Sequence, residues 1–329
     1  MENQEPARMR LASISDVLAV VPYLLGFHPA DSLVIVGLTG ARVTVAGRSD
    51  LPHDSDLDQW VAASVSQHLA LLRNVDADAA FLIGYGPAPA VTPVVDRVAP
   101  RLRDAAVTIV DTVRVTDGRY HSYHCQDPHC CPADGVPFDA HYSPTAVHAV
   151  VAGQTALPDR AALVASLAPT GGTAMAAATR RAHHRRITTA AAGRAALLDA
   201  GRTCVGEVFA RYAAGAVAGD EEVAWLTVLL THTSVRDIAW RATDDEPWHI
   251  ALWADVTRRA DPTVAAAPAT LLAFTAWRQG QGALAAVALD RALTADPDYR
   301  LALIIDSALR HAVPPTALDG WPTAHDPTP

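Results

Sequence analysis

The fold class follows from the stretch Ser32-Leu-Val-Ile-Val-Gly-Leu38, a short run of apolar and β-branched residues. A turn at Thr39-Gly40 comes next, and then a second run, Ala41-Arg-Val-Thr-Val-Ala-Gly47, in which apolar and polar residues alternate. Two such runs around a glycine turn are typical of a β-hairpin. We therefore predict that both segments are buried, paired strands of one sheet.

Strands and helices alternate along the chain on both sides of this hairpin. Apolar residues at helical spacing predict helices over 14–25, 58–73 and 91–103. Runs of β-branched residues predict strands over 79–84, 107–115 and 119–125, with a tight turn at Asp117-Gly118. This alternation, together with two hairpins, predicts an α/β N-terminal half built on a mixed sheet.

The second half of the chain has no convincing strand pattern from Pro144 onward. Alanine-rich helical windows recur instead, which predicts an all-α half. Residues 278–297 have the spacing of one tetratricopeptide-like helix pair, too few for a peptide-binding groove, so closure of the helical core is the simpler role. The glycines at 171 and 172 mark the boundary. We predict an α/β domain over 1–170, a helical domain over 171–313 and a mobile proline-rich tail over 314–329.

Composition excludes several classes of protein. Half of the 329 residues are apolar, which excludes a disordered chain, and no apolar run approaches the roughly 20 residues of a membrane span. All 26 basic residues are arginine, so Schiff-base and P-loop chemistry that needs lysine is excluded. The net charge of −9 argues against a nucleic-acid partner. A start without signal-peptide features and the crowding of three cysteines lead us to expect a cytoplasmic protein.

The densest group of reactive side chains lies in Gly118-Arg-Tyr-His-Ser-Tyr-His-Cys-Gln-Asp-Pro-His-Cys-Cys-Pro132, with His141 nearby. Zinc accepts such ligands, but four residues separate Cys125 from Cys130 and no second cysteine-rich arm follows. The spacing therefore predicts no bound metal and a structural turn. Strand alternation places Tyr120, Ser122 and His124 on one face and Arg119, His121, Tyr123 and Cys125 on the other.

A second group of candidates lies at the ends of the predicted hairpin strands. His28 and Asp31 precede the first strand, where Asp31 has the simpler role of capping a turn. Arg48 and Asp50 end the second strand, where an ordinary surface ion pair is the simpler explanation. Loops at the ends of adjacent strands are where α/β proteins assemble sites, so we expect the two segments to converge.

Four segments together resemble an actinobacterial family of domains of unknown function. They are Val21–Val34, Arg48–Pro52, Gly118–Pro132 and the helix pair that begins at Trp277. The family spans nearly the whole chain and has no assigned activity. Its pattern has an aromatic residue at position 121 and an apolar residue at 124, whereas this chain has histidine at both. The resemblance therefore draws attention to two imidazoles that stand where the family has packing residues.

The chain is also similar to the larger component of the two-component enzymes that form aziridine rings in azinomycin-like antibiotic biosynthesis. This similarity implies a sulfate-eliminating, ring-forming enzyme of secondary metabolism, in a complex with a smaller protein. Its substrate would be an anionic amino metabolite. Displacement of sulfate by a neighbouring amine needs alignment, an anion cradle and a base, and it needs no cofactor.

The site residues follow from this chemistry. The candidate catalytic residues are Asp31, Asp50, His121 and His124. The candidate substrate-binding residues are His28, Arg48, Arg119, Tyr120 and Tyr123. The alternative is a non-catalytic helical scaffold or interaction protein whose Cys/His loop is structural.

Overall fold

The computed structural model describes residues 13–53, 56–140, 143–151 and 154–318. The chain divides into two compact units. The first runs to Leu163 and also includes Arg310–Val313, and the second comprises Val164–Leu309 and the segment from Pro314. Most of the predicted mobile tail lies outside the described residues, whose last element is a 3-10 turn at Pro315–Leu318.

The first unit is built on a six-stranded sheet. Its described strands are β1 (Ser32–Thr39), β2 (Arg42–Asp50), β3 (Ala79–Tyr85), β4 (Thr108–Thr116), β5 (Arg119–Ser122) and β6 (Val136–Pro137). They lie in the order β2-β1-β3-β4-β5-β6, and β3 and β4 form the parallel pair of an otherwise antiparallel ladder. The predicted mixed sheet and its first hairpin are confirmed.

Helices cover both faces of this sheet. They are α1 (Ile14–Leu25), α2 (Leu57–Arg73), α3 (Ala88–Asp104) and α4 (Pro144–Val151). Ile35 of β1 packs with Val65 of α2 and Val94 of α3 in one apolar core. Val34 points to the opposite face because side chains alternate along a strand, and it is buried too. On that side α1 packs against β2 and α4.

The ends of α1 are fixed by local hydrogen bonds and backbone conformation. The Ser13 hydroxyl accepts the backbone N–H of Asp16, and the Asp16 carboxylate accepts the backbone N–H of Ser13 in return. Asp16 also accepts a hydrogen bond from the Thr145 hydroxyl at 2.9 Å, which ties α1 to α4. Gly26 ends the helix at φ +81°, where glycine is favoured.

The predicted strand over 119–125 is too long, because β5 ends at Ser122. The Ser122 hydroxyl accepts the backbone N–H groups of His124 and Cys125, both at 3.1 Å, and this turns the chain out of the ladder. The predicted alternation of faces is therefore wrong for His124 and Cys125. The sequence analysis also missed β6, a two-residue strand that pairs with β5.

The second unit is helical throughout its described regular elements. The boundary between the two units falls within α5 (Arg160–Ser166). The helices that follow are α6 (Thr173–Ala191), α7 (Arg194–Ala213), α8 (Asp220–Leu230), α9 (Thr233–Ala242), α10 (Pro247–Arg259), α11 (Ala266–Arg278), α12 (Gly282–Ala295) and α13 (Arg300–Arg310). A helix pair is present, since α11 packs against α12 across a turn at Gly280, φ +75°. The range 278–297 predicted for the pair contains only α12 and the last residue of α11. No helix among the described residues is long and apolar enough to cross a membrane.

Candidate functional site

Two of the predicted segments meet at one edge of the sheet. Because β1 runs antiparallel to both neighbours, its first residue, Ser32, lies beside Asp50 at the end of β2 and beside Tyr85 at the end of β3. The backbone N–H of Leu51 donates to the carbonyl of Asp31 at 2.9 Å. The structure thus brings His28–Asp31 and Arg48–Asp50 together, and we call these two segments the hairpin rim.

Arg48 is the central cation of the hairpin rim. Its Nη2 donates to Asp50 Oδ1 at 2.5 Å and to the Ala30 carbonyl at 3.4 Å. The guanidinium carbon lies 5.5 Å from the ring centroid of Phe27, within range of a cation–π contact. Its buried Nε has no hydrogen-bond partner within the described parts of the chain. Arg48 is therefore held in place and retains an unused donor.

The hairpin rim is anchored by backbone contacts of its first segment. The N–H of His28 donates to the Leu157 carbonyl at 2.9 Å, next to a bridge between Phe27 and Leu157. Asp31 has φ +44°, a left-handed conformation that aspartate tolerates better than most residues. Its side chain is exposed. The loop thus presents one carboxylate from a strained backbone position at the start of β1.

An open depression of about 350 Å³ lies beside the end of β2. Its lining residues are Arg48, Ser49, Asp50, Trp60, Ala63, Ser64 and Gln67. The Trp60 indole N–H donates to the Asp50 carbonyl at 3.1 Å, which fixes one wall. The depression therefore combines a cation, a carboxylate, two hydroxyls and one aromatic side chain.

A buried histidine contacts both hydroxyls of this depression. Nε2 of His68 lies 3.4 Å from the Ser49 hydroxyl, and Nδ1 lies 3.4 Å from the Ser64 hydroxyl. Burial lowers the pKa of His68 to about 4, so the imidazole is neutral near pH 7. The sequence analysis missed Ser64 and His68. The signal was available, because both interrupt the apolar stripe that α2 buries at spacings of three and four.

The other predicted residues lie around β5 and are engaged locally. Arg119 donates to the Gly135 carbonyl at 2.7 Å and pairs with Asp134 at 3.0 Å. Tyr120 makes an edge contact with Phe138, and burial raises its pKa. The Tyr123 hydroxyl hydrogen-bonds that of Thr92 on α3 at 2.8 Å. These contacts stabilise the β5–β6 region.

The two histidines that distinguish this chain from the family pattern are also locally engaged. Burial and the charge of Arg114 lower the pKa of His121, whose ring lies against Gly135. Nε2 of His124 accepts a hydrogen bond from Arg103 at 2.9 Å, and Nδ1 lies 3.7 Å from Asp111. His124 is therefore held by charged groups on α3 and β4.

The structure does not bring either histidine to the hairpin rim. β3 and β4 lie between β1 and β5, a separation of three strand spacings or about 14 Å. His121 lies opposite Arg114 on β4, and the chain beyond it runs away from the rim. The expectation that one histidine faces a pocket shared with Arg48 is not met. The same separation applies to Arg119, Tyr120 and Tyr123.

Three cysteines form a compact group beyond β5. The sulfur atoms of Cys125, Cys130 and Cys131 all lie within 4.8 Å of one another. The S–H of Cys131 is 3.9 Å from the Cys130 sulfur. The fourth cysteine, Cys204, is buried in the second unit, and burial raises its pKa to about 12. The predicted neighbour His141 lies outside the described residues.

Comparison with known proteins places the chain in a family. No curated protein and no solved structure is significantly similar to it. A family model described as a domain of unknown function matches residues 15–316, which includes all four segments that carry the resemblance. The chain therefore belongs to the DUF4192 family of domains of unknown function.

Proposed function

We propose that the chain is a cofactor-independent enzyme that binds a small anionic amino metabolite in the depression beside the hairpin rim. One observation carries this proposal. Arg48 and Asp50 line the same depression, and their side chains are 14% and 70% exposed. The site therefore offers a well-positioned cation and an accessible carboxylate to one ligand.

This arrangement suits a ligand that carries an acidic group and an amine. A sulfate or phosphate oxygen can accept from the guanidinium of Arg48, which lines the depression. The neutral ring of His68 donates to one of the hydroxyls of Ser49 and Ser64 and accepts from the other, so the hydroxyl that accepts from the ring is one further donor for the ligand. The ammonium group of the ligand would then lie against Asp50 and compete with Arg48 for its carboxylate.

The reaction that fits these groups is ring closure by intramolecular displacement of sulfate. The amine gives up a proton to Asp50 or to solvent, and its nitrogen then forms a bond to the carbon that carries the sulfate. The carbon–oxygen bond breaks, and the sulfate leaves with the electron pair. Alignment of nucleophile and leaving group alone contributes several kcal/mol, about 7 or more in the best cases. An aziridine is the product when amine and sulfate are on adjacent carbons.

The test uses 2-aminoethyl hydrogen sulfate, which carries both groups on adjacent carbons. Binding is measured by calorimetry, and ring closure is measured by proton NMR with release of sulfate. We expect Arg48→Gln to weaken binding about 10- to 100-fold, the loss of one or two hydrogen bonds to a charged group. We expect Asp50→Asn to reduce turnover with a smaller effect on binding.

A matched control is available in the same unit. Arg97 and Asp58 form an exposed pair at 3.3 Å outside the depression. The variants Arg97→Gln and Asp58→Asn should bind and react as the parent does. Equal binding of the probe by the parent and Arg48→Gln, or no binding by the parent, would rule out the rim as an anion site.

A second candidate function is docking of a smaller protein partner. Val147, Val150 and Val151 form a stripe on α4, and each side chain is more than half exposed. This observation favours an interaction role independent of the rim. Sedimentation velocity of the parent and Val150→Glu tests it: the parent should associate with its partner or itself, and the variant should not.

A further inference from the structure

The loop between β5 and β6 holds three thiols at a spacing typical of a metal site. The sulfurs of Cys125, Cys130 and Cys131 lie within 4.8 Å of one another, and those of Cys130 and Cys131 are 3.9 Å apart. Two zinc–sulfur bonds of about 2.3 Å at a tetrahedral angle separate the sulfurs by about 3.8 Å. The thiols are thus nearly at the distances that one shared ion requires.

The backbone of this loop is already folded around the three thiols. The Asp127 carbonyl accepts the N–H groups of Cys130 at 3.1 Å and Cys131 at 2.7 Å. The Ser122 hydroxyl accepts the N–H of Cys125 at 3.1 Å. Each cysteine backbone is therefore held by a hydrogen bond from outside the trio. Binding an ion would require little further ordering of the chain.

Three thiols at these distances suit a divalent cation that prefers sulfur ligands, and such a cation replaces the thiol protons when it binds.

We propose that Cys125, Cys130 and Cys131 bind one Zn²⁺ ion. The three sulfurs are the protein ligands, and the fourth position is taken by solvent, because Cys130 is on the exposed side of the loop. Binding releases the remaining thiol protons. Sequence spacing argued against a metal because a second cysteine-rich arm is absent. The structure removes this objection, since the turn at Asp127 brings a vicinal pair back to Cys125.

The site is separate from the proposed enzyme site. The loop connects β5 to β6, whose ladder comprises the pairs Arg119–Pro137 and Tyr120–Val136. An ion at this position closes the loop and stabilises a two-residue edge strand that has few hydrogen bonds of its own. This proposal does not depend on the proposed function of the hairpin rim.

The experiment uses the full chain, reduced and free of metal, under anaerobic conditions. Co²⁺ serves as the spectroscopic probe, and Zn²⁺ is then added to displace it. We expect one Co²⁺ per chain with a thiolate charge-transfer band that Zn²⁺ abolishes. In the parent chain, Zn²⁺ should protect Cys125, Cys130 and Cys131 from a thiol reagent. Cys204 should stay unreactive in the native state with or without the ion.

Single variants assign the ligands. Cys125→Ser, Cys130→Ser and Cys131→Ser should each weaken Co²⁺ binding by about 100-fold or more. Cys204→Ser is the matched control and should bind as the parent does. The protection measurement on the parent remains decisive if a variant fails to fold. Absence of the thiolate band, unprotected thiols with excess Zn²⁺, or binding that the three serine variants leave unchanged would overturn the proposal.

Discussion

Nε2 of His68 lies 3.4 Å from the hydroxyl of Ser49, inside the first unit and below the depression beside the hairpin rim. The imidazole is fully buried, and burial lowers its pKa from 6.5 to about 4. Among the residues that the structure describes, no acidic side chain is hydrogen-bonded to it. His68 is therefore a neutral support for two serines rather than a charged group of the site.

This pKa predicts a loss of stability in mild acid. Between pH 6.5 and 4 the unfolded chain binds a proton at His68 and the folded chain does not, so stability rises with pH over this window. The contribution is complete above pH 6.5 and amounts to about 3 kcal/mol. The melting temperature of the parent should fall as the pH is lowered through this range.

Two variants isolate the contribution of His68 from those of other groups. His68→Gln keeps hydrogen-bonding atoms without a titrating ring, and the slope of its melting temperature against pH should be shallower. His129→Gln is the control, because His129 is 95% exposed, and its slope should match that of the parent. Some slope remains in every variant, since burial also lowers the pKa of His249 in the second unit. Identical slopes for the parent and His68→Gln would contradict the prediction.

A close approach of β3 to α3 predicts a steric effect at Gly84. A Cβ at this position would lie 2.1 Å from Cγ1 of Val91, a short and stiff side chain that cannot move aside. Gly84→Ala should lower the free energy of unfolding by about 2 kcal/mol, in the range for overpacked cores. The double variant with Val91→Ala should recover part of this loss in chemical denaturation.

Gly206 provides the opposite case for comparison. It lies inside α7, and apart from its chain neighbours and the backbone of its own helix no described atom lies within 4 Å of the position a Cβ would take. Gly206→Ala should raise the free energy of unfolding by up to about 1 kcal/mol, because alanine favours the helix. A lower free energy of unfolding for Gly206→Ala, or an unchanged one for Gly84→Ala, would show that these packing distances do not govern stability.

In the second unit, Asp255 should be the most sensitive member of a polar network. It accepts hydrogen bonds from the Tyr212 hydroxyl at 2.5 Å and from Arg259 at 2.9 Å, and Arg259 also pairs with Asp220. Asp255→Ala leaves the Tyr212 hydroxyl without its acceptor and leaves Arg259 with Asp220 and the Ala218 carbonyl as acceptors, so it should cost about 2 kcal/mol. Tyr212→Phe should cost about 1 kcal/mol.

The exposed pair of Asp199 and Arg202 is the control for this network. Both side chains are more than half exposed, so Asp199→Ala should change stability by less than about 0.5 kcal/mol. Denaturation followed by tryptophan fluorescence measures all three variants. Equal effects of Asp255→Ala and Asp199→Ala would contradict the special role of the buried network.

The elements of the fold could be predicted from sequence because their causes are local. Periodicity and turn residues identified α1, β1 and β2 closely. The end of β5 was missed because it depends on one hydroxyl, that of Ser122, which accepts two backbone N–H groups. The two-residue β6 has no pattern to detect.

The candidate site was predicted only where neighbours in sequence are also neighbours in the sheet. The segments that contain Asp31 and Arg48 meet because one hairpin joins their strands. Strand order decides whether His121 and His124 lie near the hairpin rim. No residue pattern predicts that β3 and β4 lie between β1 and β5. The Cys125 cluster depends on a turn held by the Asp127 carbonyl, a contact that ligand spacing does not report.

Substitutions of Asp31 separate its backbone role from its carboxylate role. At φ +44°, glycine fits without strain, asparagine is tolerated, and alanine should destabilise the chain by about 1 kcal/mol. Asp76 has φ +50° and lies away from the rim, so Asp76→Ala should show a similar loss of stability and no change in ligand binding.

If the Asp31 carboxylate takes part in the reaction, Asp31→Asn should keep the stability of the parent and lose about 100-fold in turnover of 2-aminoethyl hydrogen sulfate. If Asp31 only shapes the hairpin rim, Asp31→Asn and Asp31→Gly should both retain turnover, and Asp31→Ala alone should be impaired. Retained turnover in Asp31→Asn would therefore remove Asp31 from the catalytic residues.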